Sequence, residues 1–269
     1  MDKPALDIVR YKDLLQANVD YLNNQEWERR EGDDYDCPIC KNREGFMRVK
    51  MVNIGKKDKP SYFPYEYWEP CECVQSRKIE KNTKASGLES YRLKTFDNFK
   101  TLNNPFLTDL KAKGVKNTDE PFTWFFIGGK SGSGKSHITA AIANSLINKG
   151  MQVMYTSWLN NFRETNYIND AAERKRNIDK LFEVDNLLID DLFKLKKGES
   201  PTSADIQLLM RVLNARLNSN KKTIISSEWT MRELLEVDEA TASRIAEKCK
   251  GYVFTVGKDV KNYRLKDYA

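Results

Sequence analysis

The chain has 269 residues, 40% of them hydrophobic and 31% charged, with a formal net charge of +6. That composition is globular, and a mean hydropathy of -0.68 with no apolar run near the length of a membrane span argues against a transmembrane protein. The opening MDKPALDIVRYKDLLQ lacks a basic segment followed by an apolar core, so no secretory leader is expected and a cytoplasmic protein is. The first third is near charge balance, and the basic excess falls after residue 90. An acidic partner, either nucleotide phosphate or a nucleic-acid backbone, is therefore expected there.

Along the chain, apolar residues at Leu6, Ile8, Val9, Leu14, Leu15, Val19 and Leu22 suit one or two amphipathic helices. Four of the five cysteines follow in two close pairs, Cys37 and Cys40 in CPIC, Cys71 and Cys73 in CEC. Two disulfides are not expected in a reducing compartment. Two tight pairs on two turns suit a closed, tetrahedral, all-thiolate zinc site, structural rather than catalytic, with an iron–sulfur cluster as the alternative. The chain's one histidine, His137, falls inside another motif. Between the pairs, FMRVKMVNIGKKDKPSYFPYEYWEP reads as short aromatic strands about a turn. Tyr65, Tyr67 and Trp68 are candidates for a protein-binding face or for the small core of this module. The charged stretch VQSRKIEKNTKASG ends at Gly87, giving an N-terminal domain over 1–85 and a second over 86–269.

The second domain carries the chemistry. An apolar strand, 122–127, runs into GGKSGSGKS and then a helix over 136–148. Gly129, Gly134, Lys135 and Ser136 satisfy the G-x-x-x-x-G-K-[ST] phosphate loop in its strand–loop–helix setting. The loop residues Gly129, Lys130, Ser131, Gly132, Ser133, Gly134, Lys135, Ser136 and His137 are expected to bind ATP. Lys135 would reach the β and γ phosphates, and Ser136 would ligate magnesium. A second strand, 151–157, precedes NLLIDD, 186–191, whose end offers Asp190 as the carboxylate near magnesium and Asp191 as the positioner of an attacking water. Paired acids with no acceptor site suit ATP hydrolysis. The rest alternates: a capped helix over 202–219, strand TIISSE over 223–228, helical MRELL and ATASRIAEKCKG, and strand YVFTV over 252–256. Five strands separated by helices make a three-layer α/β sandwich. Cys249 is expected in the core.

These residues resemble the DnaC/DnaI-type loaders of bacterial and phage replicative helicases, within the AAA+ ATPases. The matching pieces are CPIC…PCEC, TFDNF at 95–99, GGKSGSGKS, LLIDD, and SRIAEKCKGY followed by DVKNYRLKDY. The resemblance implies a five-stranded parallel AAA+ sandwich preceded by a small helical, zinc-binding domain that grips a hexameric replicative helicase. It also implies ATP-dependent self-assembly on helicase or DNA and contact with single-stranded DNA. It puts Phe96 and Phe99 near the adenine, makes Arg244 an arginine finger for a neighbouring protomer and Arg264 a nucleotide contact in cis. Ser227 falls on the serine of the family's Ser-Asn pair, but Glu228 stands where the amide is expected, so a carboxylate that repels phosphate unless protonated or turned away replaces a phosphate sensor, and slow, altered or partner-stimulated hydrolysis is expected. Lys194, Lys196, Lys197 and the run Arg174-Lys175-Arg176 are candidate DNA contacts. Competing readings are an ATP-gated adaptor with negligible hydrolysis, a transposition helper of the IstB type, and a RadA-like recombination ATPase. The cysteine module argues against the transposition helper. The SRIAEKCKGY segment argues against the recombinase.

Overall fold

The computed structural model describes residues 8–25, 37–195, 199–257, 260, 262 and 263. By its contacts the chain divides into two units, Met1–Lys78 and Ile79–Ala269.

In the first unit, helix α1 (Ile8–Asn24) meets an antiparallel hairpin of β1 (Gly45–Asn53) and β2 (Tyr62–Pro70). Asn23 fixes the helix end to the first strand: its amide donates to the Met47 carbonyl at 2.9 Å and its carbonyl accepts from the Met47 N–H at 3.0 Å. Cross-strand pairs hold the register. Arg48 pairs with Glu69 at 2.9 Å, and the Lys50 ammonium lies over the Tyr67 ring at 4.7 Å. Tyr65 and Trp68 are exposed. Helix α2 (Glu72–Ser86) follows, and the contact division falls inside it, ahead of Gly87. Its C-terminal half belongs with the second unit because Ile79 packs on that unit's core and the buried Asn82 amide donates to the Gly150 and Met151 carbonyls, both at 3.1 Å.

The second unit is built on strands that are apolar on both faces, which requires a helical layer on each side. The strands are β3 (Phe125–Gly129), β4 (Val153–Ser157), β5 (Asn186–Leu192), β6 (Lys222–Ser227) and β7 (Val253–Val256). They pair entirely in parallel in the order β4-β5-β6-β3-β7. Side chains alternate between two cores. Phe126, Ile189 and Ile225 face the cluster of Trp158, Leu209, Leu213 and Ile245. Phe125, Ile127, Leu188 and Ile224 face that of Leu110, Ile138, Ile142 and Leu146. The covering helices are α3 (Pro105–Asn117), α4 (Lys135–Asn148), α5 (Ala171–Glu183), α6 (Ser203–Asn218), α7 (Met231–Val237) and α8 (Glu239–Lys248). Reciprocal capping boxes start α6 at Thr202/Asp205 and α7 at Thr230/Glu233. Cys249, just past α8, is fully buried. Among the described residues no helix is long and apolar enough to cross a membrane.

Candidate functional site

The carboxyl ends of β3 and β5 open on a cavity of about 380 Å³ lined by Ser131–His137, Asp191, Lys194 and Glu228, with Tyr91, Asn98, Phe99 and Tyr263 among its other walls. That is a size suited to a small organic ligand. The loop after β3 turns on glycines of positive φ. At Gly132 (φ 76°) a Cβ would collide with the Asn262 side chain, so glycine is needed for space as well as conformation. The Tyr263 N–H donates to the Gly132 carbonyl at 2.9 Å, which ties Tyr263 to the loop. Helix α4 begins at Gly134 without a side-chain cap. Its first N–H groups and positive dipole end are thus available to an anion.

Lys135 is almost fully buried, with its ammonium on the Gly129 and Lys130 carbonyls at 2.7 and 2.9 Å. Burial lowers its pKa, opposed by the field of Asp191 and Glu228. Asp190 lies under the cavity, buried. It accepts from the Ser226 hydroxyl, and from the Tyr91 and Tyr155 hydroxyls at 3.4 Å each. Burial raises its pKa, with Asp191 adding to the effect, while hydrogen bonds from Ser226 and Ser136 oppose it. Ser136 and Asp190 are therefore side by side, the arrangement a divalent cation needs.

Between Ile189 and Leu192, β5 slips against β6, and this bulge re-aims the acid pair. Asp191 sits in the left-handed region (φ 56°), its N–H donating to Ser226 Oγ at 2.9 Å. Its carboxylate takes the Lys194 ammonium at 2.8 Å, and the same ammonium lies 3.4 Å from Glu228 Oε1. Burial disfavours the charge on Lys194, but Asp191 and then Glu228 more than offset this, and its pKa is raised. Lys194, a DNA candidate by sequence, is a wall of this cavity instead. Glu228 is ion-paired rather than left facing the loop alone.

TFDNF is tied to α4 by the single histidine. His137 Nε2 lies 3.0 Å from the Thr95 carbonyl and 2.9 Å from Asn98 Oδ1, and its ring meets Phe99 edge-on at 5.2 Å. Asn144 adds a second tie, donating to the Tyr91 and Lys94 carbonyls at 2.9 and 2.8 Å. Phe99 lines the cavity against Gly134, whereas Phe96 packs inward on Gly114 and α4. Ser227 is buried and donates to the Leu192 carbonyl at 2.7 Å, so it braces the strand ends and does not line the cavity. Arg244, on α8, is outside this cavity and donates to the Ala240 carbonyl at 2.7 Å. Arg264, Lys196 and Lys197 lie outside the described residues. Sequence reasoning had assigned no role to Tyr91, Asn144 or Tyr155. Their partners are 35 to 99 positions away, beyond any local pattern.

In the first unit the four cysteines are buried and their sulfurs lie within 4.8 Å of one another. Cys37–Cys71 is 3.9 Å and Cys40–Cys73 is 3.5 Å. Sulfurs at tetrahedral corners with ~2.3 Å metal bonds are ~3.8 Å apart, so the donor set fits a single ion. The Cys40 backbone N–H holds Cys37 down to about 7, while burial and the neighbouring cysteines push Cys73 up to about 12. Thiols this close cannot all ionise without a cation among them.

Residues 91–249 match the family described as the bacterial DnaA ATPase domain. YqaM of Bacillus subtilis (strain 168) is 30% identical over 96% of this chain and 94% of its own length. The phage-like element PBSX protein XkdC of the same organism is 30% identical over 82% of each. The chromosomal replication initiator DnaA of Borrelia hermsii is 29% identical over 56% of this chain, but the match spans only 31% of the initiator. Among solved structures, DnaI is similar at a TM-score of 0.52 and 20% identity, over 65% of this chain and 93% of its own. AMPPCP-bound DnaA from Aquifex aeolicus is similar at a TM-score of 0.52 and 20% identity, over 67% of this chain and 56% of its own. The two solved structures share the AAA+ fold with this chain.

Proposed function

The chain belongs to the family of the bacterial DnaA ATPase domain, and from that premise we propose that it is an ATP-dependent loader of a hexameric replicative helicase onto single-stranded DNA. The observation that carries the nucleotide half is the convergence of Lys135, Ser136 and Asp191 on one cavity at the head of α4, with the buried Asp190 beside Ser136. Lys135 exchanges its loop carbonyls for the β and γ phosphates. Ser136 and Asp190 would hold magnesium, which would supply positive charge to the phosphates, and Asp191 would orient the attacking water. Arg244, outside its own chain's cavity, serves a neighbour's nucleotide, so the site is completed by self-assembly. The four cysteines hold a structural zinc that orders the first unit, and that unit grips the helicase. Support for the helicase as client comes from the joint resemblance of the cysteine module, TFDNF and the ATPase core to DnaC/DnaI-type loaders.

The test uses the full chain with a purified DnaB-type hexamer and circular single-stranded DNA. A stable complex that forms with ATP, and a helicase retained on the circle after passage through a gel filter, are expected. ATP binding with no helicase association under any nucleotide would remove the loader and leave an adaptor for another client. Slow hydrolysis is favoured by one specific contact, the Lys194 ammonium on the Asp191 carboxylate. That contact occupies one oxygen of the carboxylate and draws charge from the group that would orient the water.

A further inference from the structure

Glu228 directly follows β6 and lines the cavity together with Ser136, Asp191 and Lys194. An ionised carboxylate on a cavity wall beside Ser136 and Asp191 opposes the entry of a polyanion. Three carboxylates gather at this end, Asp190, Asp191 and Glu228, against the two ammonium groups of Lys135 and Lys194. We infer that Lys194 and Glu228 act as one unit that reads the terminal phosphate, Lys194 as the phosphate-facing cation and Glu228 as the residue that positions it. The inference rests on the nucleotide reading of the cavity.

The pairing is built into the fold rather than left to a long side chain's rotamers. Asp191 and Phe193 both adopt left-handed backbone (φ 56° and 58°), an uncommon conformation for such residues. They curl the chain so that the Lys194 N–H closes on the Asp191 carbonyl at 2.9 Å. Phe193 anchors the curl, buried edge-on against Trp158 at 4.8 Å. Two hydrogen bonds then lash it to the end of β6 on either side of Glu228. Ser227 Oγ donates to the Leu192 carbonyl at 2.7 Å, and Trp229 Nε1 donates to the Phe193 carbonyl at 3.1 Å. With residues 227 and 229 both fixed to the curl, Glu228 and Lys194 are held on the same wall.

An ammonium has three donors. Two are directed here at Asp191 and Glu228, which leaves one for a phosphate oxygen without breaking the Glu228 contact. An exposed ion pair that merely decorates a surface would contribute little and would not distinguish one nucleotide from another. A phosphate-reading unit has a different signature, because it touches only the group that ATP has and ADP lacks.

The experiment is isothermal titration of the full chain with magnesium and either ADP or the β,γ-methylene analogue of ATP. The proteins are wild type, Lys194→Met, Lys194→Gln, Glu228→Gln and the double variant Lys194→Met/Glu228→Gln. Lys194→Met keeps the aliphatic stem, and melting curves check that each variant is folded. A charge-assisted hydrogen bond corresponds to roughly a tenfold to hundredfold change in affinity. Lys194→Met and Lys194→Gln are therefore expected to weaken the triphosphate analogue about tenfold or more and ADP by less than about threefold. Adding Glu228→Gln to Lys194→Met should restore part of the loss, since it removes the unpaired carboxylate. Equal effects on both nucleotides, or none, would overturn the inference while leaving nucleotide binding intact. A double variant no tighter than Lys194→Met would refute the pairing. A wild-type chain that binds neither nucleotide would bring down the nucleotide reading itself, and this inference with it.

Discussion

If the cysteine cluster holds the zinc proposed for it, removing that metal should unfold the first unit and spare the second. The buried apolar side chains described before residue 79 are Val19, Pro64 and the four cysteines. Burying one valine contributes about 1.5–3 kcal/mol, while each ordered residue costs ~1–2 kcal/mol of backbone entropy. The hairpin's cross-strand pairs add only fractions of a kcal/mol each. A bound zinc contributes on the order of 10 kcal/mol of folding free energy, the one contribution large enough to order this unit. The second unit has two apolar clusters of its own and needs no metal to fold. The assay is limited trypsin digestion of the full chain before and after a strong chelator, with metal content followed by atomic emission. Arg48 and Lys50 lie within β1, in register with Tyr67 and Tyr65, and should resist cleavage in the metal-loaded chain. Chelation, or Cys73→Ser, should expose both bonds and leave a resistant fragment beginning within α2. A metal-free chain in which those bonds stay as protected as before would refute the argument, since the unit would then have a source of stability not visible in its packing.

Thiol chemistry should divide the five cysteines in two steps. Cys249 is buried alone, and burial pushes its thiol far above the ordinary range, so an aromatic disulfide reagent at neutral pH should find four thiols after chelation and the fifth only after denaturation. Lys135→Ala should lose nucleotide binding by about a hundredfold or more, whereas Arg244→Ala should bind nucleotide as wild type does and fail to assemble, as read by light scattering. Identical behaviour of the two would remove the role in trans. Asp190 has a raised pKa in the fold, chiefly from burial, so its contribution to stability is full below the unfolded carboxylate pKa and is lost as pH rises through the folded value. Asp190→Asn should consequently melt higher than wild type at pH 7, with the difference shrinking as pH falls toward ~4; a difference independent of pH would exclude this cause.

What could be read from the chain and what could not follows from the range of the interactions involved. The five-strand α/β sandwich was legible because strands such as FFIGG and NLLIDD are apolar on both faces and glycine-rich loop chemistry punctuates them. Helix starts at Thr202 and Asp238 follow from local capping. The two cysteine pairs were legible as one donor set, and they converge because the hairpin closes with Gly45 opposite Pro70 and the Cys71 N–H on the Glu44 carbonyl at 2.8 Å. Local pattern could not separate Phe99 from Phe96. Both are aromatics of one short segment, and only the packing of Gly114 and Gly134 assigns one inward and the other to the cavity. Nor could it place Lys194, whose position depends on a bulge and two left-handed residues. Lys222 reads as a surface lysine before a strand, but it is buried as the first residue of β6. Its ammonium is satisfied by the carbonyls of Asn117, Glu120 and Thr123 at 2.9, 2.9 and 2.7 Å.

The placement of His137 makes the molecule its own spectroscopic instrument. The chain has one histidine, and its Nε2 faces two oxygens, the Thr95 carbonyl and Asn98 Oδ1. Nε2 must therefore carry the proton, and burial lowers the pKa so that the ring favours neutrality. A spectrum of the full chain enriched with nitrogen-15 histidine contains one imidazole, with no assignment required. Its two nitrogen shifts report the tautomer, and so whether the TFDNF segment is docked on the head of α4. Titrating nucleotide, helicase or DNA against those two signals would follow the TFDNF side of the cavity directly, without a dye, a tag or a mutation.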